Sequence, residues 1–553
     1  MNLFEAILNI DSLDRIAILY EQRQISYAEL RTETLAVARV LSDLEVGRGE
    51  RVALLLDDSP EFIALFIAIV SYGAIAVPIN LGLRLDEQRA ILNDCTAKAV
   101  IVEAVLSGLL LEAQEKLPFL KEVVVVCRNS EDEKRITAET QRAQRTRREH
   151  GEGSLGIRFL SEELETSRQQ AATEFSSPAA DQLAFILYTS GSTGEPKGAI
   201  HRQSDLFYTN ETYCREVLQL REGDRLFSSS RLPFAYGLGN AFTFPLLTGC
   251  TTILCREKPT PEVIARVFAE HQPTIFFAVP VIYRLLLDHQ NNPNTTSALD
   301  CSGLRLCISA GEALPAQLGE EWEKTFGVPV LDGIGSTEML HMWMSNHEGE
   351  LVYGSSGKLL KGYEARLLDL AGQPAPLGTE GNLWVRGASA AIGYWNKPET
   401  TADTFIDGWV RTGDLYRQET DGFWFHMGRS DDCFKSSGQW VSPVEVEGVL
   451  LRHEGISRAG VVEDFDNEGL PCACAFVVHA DASVDDATIE LGLRELARAA
   501  LPRYKQPRRY VFVDELPYTA TGKIQRFKLR ERLKGSATSN AQSPKPKRLG
   551  TFE

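Results

Sequence analysis

At 553 residues the chain is too long for a single compact core, and its 43% hydrophobic content is ample to bury more than one folding unit, which excludes a disordered protein. Fifty-eight basic against 76 acidic residues give a formal net charge of −18, which argues against a nucleic-acid-binding surface, so any polyanion must meet a local basic patch. Ten cysteines are scattered without paired spacing, and Glu5 and Asp11 stand where a secretory leader is positive and then apolar; both features predict reduced thiols in a cytoplasmic protein.

Residues 1 to about 125 alternate helical and strand patterns. ISYAE, Ile25 to Glu29, has the form of a helix-capping box, and the runs Arg51 to Leu56 and Ala99 to Val102 read as strands. Such alternation predicts α/β architecture with substantially parallel sheets. FIALFIAIVSYGAIAVPI, Phe62 to Ile79, is of borderline length for a membrane span. Ser71, Tyr72 and Gly73 interrupt it and Pro78 lies near its end, so it reads as a buried helix, a turn and a short strand. From Arg128 to Pro178 the texture turns polar and charge-dense; a solvated surface insertion is expected there, with Arg142 to Arg148 on a solvated helix face.

LAFILY, Leu183 to Tyr188, is a short apolar run that reads as a buried strand, and YTSGSTGEPKG, Tyr188 to Gly198, continues from its end. Glycines let backbone N–H groups approach a polyanion, hydroxyls add donors and Lys197 adds a fixed positive charge, so the loop suits phosphates. It is not a Walker A loop, which needs the lysine directly after the last glycine and a hydroxyl after the lysine. Further on, FAYGLGN (Phe234 to Asn240) places two glycines around Leu238, a form that lets backbone pass close to a ligand. ISAGEALP (Ile308 to Pro315) reads as a strand end turning into a helix, where free N–H and C=O groups can meet a planar ring. LDGIGSTEMLH (Leu331 to His341) has glycines, two hydroxyls and then Glu338, a carboxylate suited to Mg²⁺ beside substrate phosphates.

WVRTGDL sets Asp414 at a turn, and GRSDD (Gly428 to Asp432) opens a new unit with the mixed order of a small α+β domain. Within it, alternation over Cys472 to Val478 puts Cys472 and Cys474 on one strand face, a core pair in preference to metal ligands. PYTATGKIQR, Pro517 to Arg526, forms a Gly-Lys turn, and the last twenty residues have a disordered composition.

The ordered set of motifs, spanning roughly residues 3 to 533, resembles the adenylate-forming superfamily of acyl-CoA synthetases, nonribosomal adenylation domains and luciferases. The resemblance implies a large N-terminal adenylation domain (1–430) of sheet-and-helix subdomains, a small mobile α+β C-terminal domain (431–533) and a disordered tail (534–553). It also implies that Thr189, Ser190, Gly191, Ser192, Thr193, Gly194 and Lys197 hold the ATP phosphates. Gly311, Glu312, Ala313 and Asp332 line the adenine, Thr337 meets the phosphate and Glu338 the Mg²⁺. Asp414 binds the ribose with Arg429 beside it, Asp431 is the hinge, and Gly438 and Trp440 border the CoA channel. Lys523 reaches the carboxylate during adenylation; Lys523, Glu338, Thr337 and Lys197 form the catalytic set.

Within the superfamily, FAYGLGNAFTFPL (Phe234 to Leu246), GIGSTEMLH (Gly333 to His341) and SGQWVSPVEVE (Ser437 to Glu447) resemble the benzoate-CoA ligases. That implies an aromatic acid held by Ala235, Tyr236, Gly335, His341 and Met342, with CoA as the thiol substrate. Met342 and Trp343 depart from the branched aliphatics of the pattern, and Trp440 replaces a smaller aromatic. Delivery to the phosphopantetheine of a separate carrier protein, and a non-catalytic nucleotide-binding relative, are the alternatives; Lys523, Glu338 and Lys197, whose loss would signal the latter, are present. Neither nucleic acid nor a membrane is expected as partner, and a homodimer is left open.

Overall fold

The computed structural model describes the chain except for residues 1, 107–116, 130, 135, 138–155, 169–174, 176–180, 191–195, 296, 370, 467, 481–483, 519–523 and 541–553. It divides into two compact units. The first comprises Met1–Arg366, Trp384–Thr412 and Asp421–Trp424, and the second Leu367–Leu383, Gly413–Thr420 and Phe425–Glu553. The chain crosses from one to the other within the strands Glu364–Leu368, Glu380–Arg386, Trp409–Gln418 and Trp424–Arg429, and between Thr420 and Asp421.

Two large sheets organise the first unit. One has seven strands in the order Gly156–Phe159, Glu122–Val126, Ala99–Glu103, Arg51–Leu55, Ile75–Pro78, Leu183–Ser190 and Pro196–Arg202. All neighbours in it are parallel except the last pair, an antiparallel hairpin. The other has nine strands, and its central members Val330–Gly335, Leu306–Ser309, Ile275–Ala278, Arg225–Ser228, Thr251–Leu254 and Ile16–Tyr20 are parallel. Its central strands are apolar runs because both faces are covered: every residue of Ile275–Ala278 and Leu306–Ser309 is buried.

The apolar stretch from Phe62 resolves as the pattern requires. Helix Pro60–Tyr72 buries every residue except Glu61 and Tyr72, Gly73 ends it in the left-handed conformation (φ 90°), and the strand Ile75–Pro78 follows. Among the described residues no helix is long and apolar enough to cross a membrane. Ser26 and Glu29 close the expected capping box on helix Tyr27–Asp43.

The tract from Arg128 is not simply a solvated insertion. Gly156–Phe159 adds the outermost strand of the seven-stranded sheet, and helix Leu160–Arg168 buries Leu160 and Leu164. Arg128 is drawn in by charge, its guanidinium donating to Glu61 at 2.8 Å and to Glu103. Sequence texture missed this because four alternating strand residues inside a charged tract carry little periodic signal. The cluster Arg142 to Arg148 lies outside the described residues.

In the second unit, Ile456–Phe465 and Pro471–His479 form an antiparallel pair to which Arg509–Phe512 adds in parallel, with helices Pro443–Leu450 and Asp486–Ala500 packed on it. Cys472 and Cys474 are buried strand residues, and Cys474 packs with Val462, Phe476 and Leu529. The last helix, Arg526–Asn540, continues past residue 534, where a disordered tail was expected to begin. Leu, Arg, Lys and Glu favour helix through Lys534, and no proline stands before Pro544.

Candidate active site

The described ends of the phosphate-loop motif lie on two paired strands of the first unit. Leu183–Ser190 pairs with Pro196–Arg202 so that Thr189 faces Lys197 and Ser190 faces Pro196. Gly191, Ser192, Thr193 and Gly194 lie outside the described residues. Gly198 is a packing requirement: a Cβ there would come within 2.7 Å of Ile186 and 2.9 Å of the Tyr188 ring. The Tyr188 hydroxyl donates to Asp94 at 2.6 Å. The segment 392–395 lies along the returning strand, the Ile392 and Trp395 N–H groups donating to the Ile200 and Gly198 carbonyls at 2.9 and 2.8 Å.

That segment supplies Tyr394, which joins two expected catalytic residues. Lys197 Nζ stands 5.7 Å from the centroid of the Tyr394 ring, and the Tyr394 hydroxyl donates to Glu338 Oε1 at 2.7 Å. The hairpin is also tied to the neighbouring turn through His201, whose Nε2 lies 2.7 Å from the Thr337 carbonyl while Nδ1 lies 3.1 Å from Asp205. An N–H donor on Nε2 satisfies that carbonyl. Ser336 caps the turn Thr337–Met339, its hydroxyl accepting from the Met339 N–H at 3.3 Å. Lys197, Thr337 and Glu338 are thus brought together by Tyr394 and His201, two residues the motif reading did not single out.

Beside this turn, parallel strands Leu306–Ser309 and Val330–Gly335 end at neighbouring positions, with Ser309 in register with Asp332. Gly311, at φ 91°, turns the chain after the first strand, and the Leu314 N–H donates to Asp332 Oδ2 at 3.3 Å. Gly311, Glu312 and Ala313 therefore sit against Asp332. Asp332 is 3% exposed, with the buried Ser309 beside it on the neighbouring strand. Burial outweighs the hydrogen bonds and pushes the Asp332 carboxyl up to about 8.

The expected acid-binding residues converge on His341. The chain at FAYGLGN forms a short helix, Ala235–Leu238, that widens into a π-helical turn, Gly239–Thr243. Gly239 lets the backbone pass the imidazole; a Cβ there would lie 2.6 Å from His341 Cδ2. Gly335 and Gly333 are set by the antiparallel strand Met342–Ser345, since their Cβ atoms would come within 2.7 Å of the His341 carbonyl and 2.6 Å of the Met344 carbonyl. Rings of Phe244, Tyr213 and Tyr236 surround the imidazole at centroid distances of 4.6, 4.7 and 5.7 Å. His341 Nε2 lies 3.2 Å from Asn240 Oδ1, and burial pushes the imidazole down to about 3, so it is neutral. His341 directly precedes a strand, beyond the helical turn that ends at Met339.

Asp414 and Arg429 belong to the second unit, where Arg429 Nη1 lies 3.1 Å from Asp414 Oδ1. Gly413 (φ 75°) keeps that side clear; its Cβ would lie 2.7 Å from Arg429 Nη2. Asp431 is exposed, and Gly438 is at the tip of the hairpin Phe434–Ser436/Gln439–Val441, with Lys435 Nζ 5.3 Å from the Trp440 ring. Lys523 lies outside the described residues. On either side of the undescribed residues Tyr518 and Ile524 form an isolated bridge, and Arg526 donates to both Glu447 oxygens at 2.8 and 2.7 Å.

The chain belongs to the AMP-binding enzyme family: the family model of that name matches residues 8–395, and the AMP-binding enzyme C-terminal domain matches residues 445–523. The large α/β N-terminal part and smaller α+β C-terminal part are those of the adenylate-forming enzyme fold. Among individual proteins, it is 40% identical over 510 residues to the benzoate–CoA ligase of Thauera aromatica, covering 91% of this chain and 90% of that one. A crystal structure of the anthranilate CoA ligase AuaEII in complex with anthranoyl-AMP superposes with a TM-score of 0.86 at 33% identity, covering 97% of this chain and 98% of that one. A benzoate CoA ligase from Burkholderia xenovorans LB400 superposes with a TM-score of 0.82 at 34% identity, covering 96% and 100%.

Proposed function

We propose that this protein is an ATP-dependent acid–thiol ligase that activates an aromatic carboxylate of the benzoate class as its acyl-adenylate and transfers the acyl group to CoA. The observation that carries the reading is the neutral His341 ringed by Tyr236, Phe244 and Tyr213 three residues beyond Glu338, an aromatic cluster next to the turn that carries Glu338. Similarity to aryl-CoA ligases along nearly the whole chain supports it.

In the first step a carboxylate oxygen of the acid attacks the α-phosphorus of ATP, and pyrophosphate leaves as the bond to the β-phosphate breaks. Asp332 and Ser309, buried side by side on adjacent strands, fit a hydrogen-bonding planar ring such as adenine. Glu338, with one oxygen fixed by Tyr394, fits a single hard ligand for Mg²⁺, which would neutralise phosphate charge when bound. Lys197, beside Tyr394, holds positive charge at the phosphates, and Lys523 offsets the charge on the carboxylate. In the second step the CoA thiol, after loss of its proton, attacks the acyl carbon and AMP leaves. Rotation about Asp431 withdraws Lys523 and presents the Gly438 and Trp440 side of the C-terminal domain to the thiol. Asp414 and Arg429 take the ribose.

The test is a panel of aryl, alkyl and long-chain carboxylates assayed for pyrophosphate release, followed by mass detection of thioester with CoA or with a purified carrier protein. Preference for acetate or a fatty acid over every aromatic acid would remove the aryl assignment. Thioester on the carrier alone would remove CoA as the acceptor.

A further inference from the structure

Lys197 and His201 stand four apart on the strand Pro196–Arg202 and therefore on one face of it. Lys197 reaches Tyr394, while the His201 ring stacks on Phe185 at a centroid distance of 5.2 Å and an angle of 16°. Asp205 lies on the helix Gln203–Thr209 that follows, and both His201 and Asp205 are fully buried. Each imidazole nitrogen meets an oxygen: Nδ1 is 3.1 Å from Asp205 Oδ2, and Nε2 is 2.7 Å from the Thr337 carbonyl.

A carbonyl oxygen only accepts, so Nε2 carries a proton. That carbonyl also takes the Leu340 N–H at 3.1 Å, which closes the turn of Thr337 and Glu338. Asp205 is arranged to accept as well. Its Oδ2 takes the Arg202 N–H at 3.0 Å, and its Oδ1 lies 3.3 Å from the Ser204 hydroxyl and 3.7 Å from Arg202 Nε. Donors on both oxygens favour the ionised carboxyl, so the bond to it needs a proton on Nδ1 too. A neutral imidazole has one N–H and would turn its bare nitrogen against an oxygen lone pair, with both side chains shut off from water. The other titratable groups around the pair are Arg202; Tyr363, whose phenol stands within electrostatic reach of Asp205 and pairs with Ser389 at 2.9 Å; and Glu338, next to Thr337 in the chain, with Oε1 held by Tyr394.

We propose that His201, kept doubly protonated by Asp205, is a positioning residue for adenylation: its imidazolium ties the strand of Lys197 to the turn of Thr337 and Glu338, and loss of its proton loosens that turn. This inference rests on the reading of Lys197, Thr337 and Glu338 as the residues that act on the phosphates of ATP. It adds a charge requirement carried by a buried pair that touches neither ATP nor the acid. The 2.7 Å separation at Nε2 is that of a charge-assisted bond, which is roughly twice as strong as a neutral one and is forfeited when the ring turns neutral.

Pyrophosphate release by the full-length protein, His201→Gln and Asp205→Asn is followed from pH 6 to pH 9.5 with the aromatic acid that the wild type uses best. Glutamine offers the Thr337 carbonyl an N–H that does not titrate. The ratio of wild-type kcat to His201→Gln kcat, in which the other titrating groups cancel, should therefore fall about tenfold as pH rises. In Asp205→Asn the same fall should come at lower pH, because an amide does not hold the second proton on the ring. Ring ¹⁵N spectra of histidine-labelled wild type should show both His201 nitrogens protonated at the pH of fastest adenylation, the signals being identified by their loss in His201→Gln or their shift in Asp205→Asn. A ratio independent of pH, a fall at unchanged pH in Asp205→Asn, or a His201 ring with one bare nitrogen overturns the proposal and leaves the ligase reading intact. Failure of the wild type to release pyrophosphate with any aromatic acid removes the reading on which it rests.

Discussion

Asp332→Asn should change the pH dependence of stability in a way that reports directly on the part of the candidate site proposed for adenine. Burial raises the carboxyl of Asp332 to about 8 from an ordinary value of 3.8. An acid raised in the folded state contributes stability that is fully present below its unfolded value and is lost as pH rises through the folded one. Between pH 6 and pH 8 the unfolded chain has released this proton while the folded protein still largely holds it. The wild type therefore loses about 2 kcal/mol over that interval, using 1.36 kcal/mol per pH unit and allowing for half-titration at pH 8. Asparagine keeps the shape without the titration, so the melting temperature of the variant minus that of the wild type should rise by a few degrees from pH 6 to pH 8 and level off above about 9. Working with the difference cancels every other titrating group. An adenine amino group donating to Oδ1 favours the ionised carboxyl, so ATP binding to the wild type at pH 7 should release a proton, seen as a calorimetric heat that varies with the ionisation enthalpy of the buffer. Parallel melting curves from pH 5 to 9 would refute the raised carboxyl, and a buffer-independent heat would refute its place at the adenine.

Lys523→Ala should slow adenylation by roughly a hundredfold or more while thioester formation from supplied acyl-adenylate survives; equal loss in both half-reactions would show that Lys523 does not act in the first step. Tyr394→Phe removes the hydroxyl that donates to Glu338 Oε1 at 2.7 Å, and about tenfold lower kcat/KM in pyrophosphate release is expected, with a higher Mg²⁺ requirement; an unchanged Mg²⁺ dependence would remove Tyr394 from the positioning of Glu338. Arg526→Met leaves the half-buried to buried Glu447 without its bidentate partner, and a loss of about 3 kcal/mol is expected, largely recovered in Arg526→Met with Glu447→Gln. Losses that add in the double variant would show that the two residues are not energetically coupled.

Much of the fold was legible because its signals are local. The run from Phe62 to Ile79 declares a buried helix, a glycine stop and a strand within 18 residues, and Ser26 with Glu29 declares a helix start within four. Gly156–Phe159 was not legible, since an edge strand is defined by the neighbour it pairs with, here Glu122–Val126, across a tract of charged residues. The helix Arg526–Asn540 starts in strong helix formers and runs on into residues 534–540, where the small polar composition had suggested the start of a tail.

The candidate site divides along the same line. Lys197, Glu338 and His341 stand in motifs whose glycines and hydroxyls are contiguous, so chemistry and position could be read together. Their partners come from remote sequence: Tyr394 reaches Glu338 across 56 residues, His201 reaches Thr337 across 136, and Asn240 reaches His341 across 101. Neither Tyr394 nor His201 sits in a pattern that marks it, because a hydrogen bond between distant segments imposes no spacing on the sequence. The glycines are the trace such contacts do leave. Gly239 and Gly335 have negative φ, so backbone freedom does not require them; a Cβ at either would strike His341. A glycine inside a helical turn, costly there by about 1 kcal/mol relative to alanine, is thus a sign that another chain segment passes close by. In FAYGLGN that sign was read as close approach to a ligand, and what approaches Gly239 in the folded protein is the His341 imidazole.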